Sequence, residues 1–115
     1  MIAIARHHPR ITPEAFKHEV FRWAVRVGAT PSGVYVQRMT TKWGSCSRAG
    51  RLCFSTDLLV ESKEFQELVI VHELLHLQVP NHGKLFKSLL GSFLPNWQRT
   101  AAATGRSVCG NRLAE

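Results

Sequence analysis

"VIVHELLHLQVPNH", Val69 to His82, is the stretch from which the rest of the chain is read. His72 and His76 stand four residues apart, Glu73 follows the first directly, and His82 comes six residues after the second. On an α-helix, residues i and i+4 lie one above the other, so His72 and His76 can aim two imidazoles at one point. Neutral imidazole is a good zinc ligand at about 2.0–2.1 Å. Glu73 is rotated about 100° from His72 on the same helix, which sets its carboxylate beside the metal rather than on it. There it can take a proton from a water that zinc has made acidic.

A catalytic zinc needs a third protein ligand and an open fourth position. His82 is the candidate for that ligand. Pro80 and Asn81 are a breaker and a turn-former at the place where the helix must end for the chain to turn back. Gly83 gives freedom just after. The pattern therefore predicts His72, His76 and His82 as metal ligands, Glu73 as general base and Zn2+ as cofactor. The bland alternative, a buried helix that happens to carry histidines, leaves costly unpaired imidazoles in the core.

Working outward, Ser62 caps a helix predicted over about Lys63–Val79. Its apolar residues go all round, which marks a buried central helix, and Pro80 ends it. A helix over about Gly83–Phe93 turns Leu85, Phe86, Leu89 and Leu90 inward. Pro95 opens a last short helix containing Trp97, and the tail from about Gly105 reads as loose. Upstream, "TPEAFKHEVFRWAVRVG" is a helix with Thr12 as cap, Pro13 at the first position and Gly28 as stop. Val34–Thr40 alternates and reads as a strand. Arg51–Ser55 reads as a second strand, antiparallel to the first, and Ile2–Ala5 as a third. "KWGSCSRAG" between them reads as irregular. The expectation is an α+β fold: one domain over 1–115, with a small antiparallel-type sheet packed on a buried active-site helix and flanked by other helices.

The 115 residues suffice for one domain. No run is long and apolar enough to span a membrane, and the N-terminus lacks a signal-peptide pattern, so the expected location is the cytoplasm. Cys46, Cys53 and Cys109 are odd in number and read as reduced thiols, with Cys109 as an alternative fourth metal ligand from the tail. His7, His8 and His18 read as solvated. The net charge of +7 is uneven: +7 over residues 1–51, −4 over 52–83 and +4 over 84–115. Such a field favours DNA or another polyanion as partner, although nothing in the sequence reads bases.

Two blocks, "KWGSCSRAGRLCFSTDLL" (Lys42–Leu59) and "VIVHELLHLQVPNHGKLF" (Val69–Phe86), resemble the YgjP-like metallopeptidase domain, related to SprT-like and wider zincin proteins. Trp43, Gly44, Ser45, Cys46 and Ser47 match its first motif. His72, Glu73, Leu74, His76, Asn81, His82, Gly83 and Phe86 match its second. The resemblance implies a minimal zincin-like core with a cleft between an edge strand and the metal, held by His72, His76 and His82 with Glu73 as base. Typical members are longer at the N-terminus. The spacing is also that of metzincins, but Val79 stands where those need glycine. Trp43 and Ser45 either lock a tight turn onto the helix or line the cleft and bond an extended substrate. Tyr35, Arg51, Asn81 and Arg112 are candidates to stabilise the oxyanion of a tetrahedral intermediate.

Three functions compete. The first is a zinc endopeptidase acting on protein or peptide. The second is a zinc-dependent nucleotide phosphohydrolase, disfavoured by the lack of a glycine-rich phosphate loop or a carboxylate cluster for Mg2+. The third is a non-catalytic zinc-stabilised module binding DNA or another polyanion. It is disfavoured by Glu73, which a structural site does not need.

Overall fold

A computed structural model of the chain describes residues 10–102. The Ile2–Ala5 strand, His7, His8, Cys109, Arg112 and the tail from residue 105 lie outside the described residues. The first helix, α1, covers Pro13–Val27. Thr12 caps it by accepting from the Ala15 N–H, and Gly28 closes it in the left-handed region. Every punctuation mark in this segment acts as its chemistry requires, because each satisfies a backbone group within four residues of itself.

Three strands follow: β1 (Gly33–Gln37), β2 (Gly44–Cys46) and β3 (Arg51–Ser55). The fold is α+β as expected, but the sheet is mixed, which corrects the antiparallel pairing read from the sequence. Its order is β1-β3-β2, with β1 and β3 parallel and β2 antiparallel to β3. The physical reason lies in "KWGSCSRAG", which holds β2 although its sequence reads as irregular. After β1 the chain crosses to the far side of the future β3 and runs back as β2. A hairpin turn then feeds β3 between them, so β3 runs in the direction of β1.

The register fixes two faces. Val34 and Val36 of β1, Leu52 and Phe54 of β3, and Gly44 and Cys46 of β2 share one face. Tyr35, Arg51, Cys53 and Ser45 share the other. The first face is covered by α1 and by a second helix, α2 (Lys63–Leu75), entered through a 3-10 turn at Thr56–Val60. Phe16 of α1 meets Phe54 edge-on at 5.1 Å, and Trp43 meets Phe65 of α2 at 5.0 Å. From Leu68 to Leu75, α2 is buried without interruption, as its all-round apolar pattern predicts. It is capped by Ser62, whose hydroxyl accepts from the Phe65 N–H. Two shorter helices, α3 (Lys84–Phe93) and α4 (Trp97–Ala102), complete the described chain. No described helix is long and apolar enough to cross a membrane.

Candidate active site

The last turn of α2 builds the site. The helix stops at Leu75, four residues sooner than Pro80 alone suggests, and His76 is its C-cap. The next bonds tighten from i−4 to i−3: the Leu77 N–H donates to Leu74 O, and the Gln78 N–H to Leu75 O. Pro80 would clash with the His76 carbonyl in a continued helix, so the chain leaves the axis here. Gln78 Nε2 then donates to the Gly28 carbonyl at 2.7 Å, tying the end of α2 to the end of α1. The released segment returns through Asn81 to His82, immediately before Gly83 caps α3.

His72, His76 and His82 converge, with one ligand nitrogen from each within 4.8 Å of the others. His76 Nε2 and His82 Nε2 are 2.8 Å apart. His76 Nδ1 donates to the Val79 carbonyl at 3.2 Å, which fixes the tautomer and leaves Nε2 with its lone pair inward. His72 is wholly buried, and its Nε2 has no hydrogen-bond partner. Burial pushes its pKa down to about 3 and, with the neighbouring imidazoles, also lowers that of His76. Neutral rings are the ligating form. The ring of Phe86, from α3, lies 5.1, 4.7 and 4.9 Å from those of His72, His76 and His82. It is a floor shared by all three imidazoles. Sequence reading placed Phe86 in the core; its spacing of four after His82 is the signal for this second part.

These residues fit a metal ion. A tetrahedral centre bound by imidazoles holds their nitrogens about 3.3 Å apart, and the observed separations bracket that value. An ion would also satisfy the orphaned His72 Nε2.

Glu73 is wholly buried at the wall of a cleft of about 620 Å3. Its Oε2 lies 3.3 Å from His72 Nδ1, off the line of a hydrogen bond. Facing it is Gly44 of β2. A Cβ there would come within 3.1 Å of both Glu73 Cγ and Val69 Cγ1, so glycine is what lets the strand lie against the glutamate. Ser45 and Cys46 of this edge strand, His76, and the β2–β3 turn, Ser47–Gly50, also line the cleft. Burial, and after it the charge of Glu73, raise the Cys46 thiol to about 11, which favours its protonated form.

The other sequence candidates divide. Ser45 lines the cleft. Trp43 is buried in the core against Phe65. Tyr35 and Arg51 sit on the opposite sheet face, with the guanidinium 5.5 Å from the tyrosine ring, and neither lines the cleft. Strand order decides this: the cleft runs along β2, whereas Tyr35 and Arg51 belong to β1 and β3. Asn81 is exposed in the turn before His82. His18 is exposed on α1.

The sequence profile of the YgjP-like metallopeptidase domain matches residues 3–104. The chain belongs to this family. Among solved structures, this YgjP-like chain is similar to the metallopeptidase zymogens abylysin of Pyrococcus abyssi and jannalysin of Methanocaldococcus jannaschii. The identities are 15% and 20%, and both TM-scores are 0.69. Each comparison covers 76% of this chain, with 90% of abylysin and 91% of jannalysin. At such identity the likeness shows the fold alone. A search of curated proteins finds no match.

Proposed function

We propose that this YgjP-like domain is a zinc-dependent endopeptidase. The observation that carries the reading is the meeting of three imidazole nitrogens beside a buried carboxylate, at a cleft walled by an edge strand. His72, His76 and His82 hold the ion. When bound, zinc supplies Lewis acidity, which acidifies water and polarises a carbonyl. Glu73 takes up the proton of the attacking water and delivers it to the leaving amine. Its burial excludes competing solvent, and the adjacent His72, held neutral, does not contend for that proton. The edge of β2 offers backbone groups to an extended peptide, which adds as a further strand. Such a peptide is presented lengthwise, with a backbone carbonyl within reach of Glu73.

The test is cleavage of an unstructured protein by the zinc-loaded chain beside Glu73→Gln. Wild type is expected to cut, and Glu73→Gln to retain zinc and fold while losing at least roughly a hundredfold in rate. Equal turnover by Glu73→Gln sinks the mechanism. A parallel lane with single-stranded DNA tests whether the basic residues outside the cleft form an activating polyanion site. The phosphohydrolase alternative has one observation in its favour, the cations Lys42 and Arg48 in the cleft wall. Nucleotide turnover requiring added Mg2+ is the result that would select it.

A further inference from the structure

The charged residues of the cleft wall are Lys42, Arg48 and Glu73. Glu73 is committed to the chemistry. What remains to meet a substrate is cationic, and it is placed in order along the edge strand. Lys42 lies two residues before Gly44, and Arg48 two residues after Cys46. Gly44, against the side chain of Glu73, lies between them.

Arg48 stands on a rigid support. The Ser47 N–H donates to Arg51 O, the Gly50 N–H to Ser47 O, and the Arg51 N–H to Ser47 Oγ. Ser32 clamps the turn from outside, its N–H donating to Gly50 O and its hydroxyl to Ala49 O at 2.8 Å. Gly50 at φ 85° closes it. The Arg48 side chain is exposed and makes no ion pair among the described residues. A guanidinium carried by so constrained a turn, in the wall of a cleft, is presented to whatever enters.

We propose that the cleft selects peptides bearing acidic side chains near the scissile bond, read by Arg48 at one end of the edge strand and by Lys42 at the other. The proposal rests on the endopeptidase reading. A strand advances about 3.3 Å per residue, so a peptide laid along β2 meets Lys42 about two residues from the bond opposite Gly44, and meets Arg48, on the turn that follows Cys46, on the other side. Neutral substrates offer neither cation a carboxylate and gain nothing. Basic ones are repelled by both cations.

The experiment uses the zinc-loaded chain and quenched fluorescent peptides sharing one neutral centre. Glutamate, glutamine or lysine occupies the positions two and four residues to either side. The expected order is Glu over Gln over Lys, with kcat/KM for Glu exceeding that for Gln by roughly tenfold, mostly through KM. This advantage is expected to shrink as salt rises. Arg48→Glu, checked for zinc content and melting temperature, is expected to raise Lys peptides above Glu peptides. Arg48→Gln, a milder change, is expected to lose most of the Glu advantage. Equal cleavage of Glu and Gln peptides overturns the acidic preference while leaving the peptidase intact. Cleavage of no peptide, with zinc bound, overturns the peptidase reading and the preference with it.

Discussion

Gly44 and His72 are the two residues whose environment sets the most specific expectations. Gly44 has no side chain where one would press on Glu73 Cγ. Gly44→Ala must displace the glutamate, Val69 or the strand by tenths of an ångström, and misplacements of that kind cost roughly ten- to a hundredfold in rate. The loss is expected in kcat, with zinc stoichiometry unchanged because no imidazole lies in the path. Wild-type kcat in Gly44→Ala would show that the approach of β2 to Glu73 is mere packing. His72 gives a pH expectation in the metal-free chain. Its pKa falls from 6.5 unfolded to about 3 folded, so below pH 6.5 the unfolded chain takes up a proton that the folded chain refuses. Its stabilising contribution is complete above pH 6.5 and is lost as pH falls towards 3. Chelated wild type should therefore lose stability with acid more steeply than His72→Asn, by up to about 1.4 kcal/mol per pH unit. Parallel urea midpoints for the two between pH 6 and 4 would contradict this.

At the scale of elements, α3 does more than cover the core. It begins two residues after His82, and its first turn carries Phe86 beside all three imidazoles. Phe86→Leu keeps an apolar filler but loses the flat floor, and zinc affinity is expected to fall by about tenfold with the fold retained. Competition with a chromophoric chelator measures this, and an unchanged affinity would reduce Phe86 to core packing. The elements also show what the sequence discloses. The span of α1, the start of α2, their N-caps and the face shared by His72 and His76 follow from bonds closed within four residues, and these are legible in one dimension. The end of α2 was placed at Val79 because Pro80 is visible, whereas the tightening that begins at Leu77 is not. Strand β2 was missed because three residues beginning with glycine carry no periodicity. The pairing of β1 and β3, the strand order that keeps Tyr35 and Arg51 from the cleft, and the position of Arg48 in the wall go with it. Each of these depends on which strand lies beside which, and pairing is a non-local choice.

For the whole molecule, the site is a tie between segments as well as a centre of chemistry. Two imidazoles come from the end of the buried helix and the third from the segment leading into α3, so an ion held by all three closes the chain across the turn at Leu77–Asn81. Without it, both nitrogens of the buried His72 ring lack a hydrogen-bond partner, and the joint relies on Phe86 and on the His76 bond to the Val79 carbonyl. Binding to the folded state alone adds about 2.7 kcal/mol at a free ion concentration a hundredfold above Kd. In a domain of this size, each kcal/mol shifts the melting temperature by about 4 °C or more. Zinc is thus expected to raise the melting temperature of the chelated protein by roughly 10 °C or more. His82→Ala should lose most of that shift, since it removes the ligand that joins the two segments. Glu73→Gln should keep it, since the carboxylate stands beside the ion rather than on it. A shift of equal size in His82→Ala would place the third ligand elsewhere. A shift abolished in Glu73→Gln would make the glutamate a ligand and leave the proposed proton transfer without its carrier.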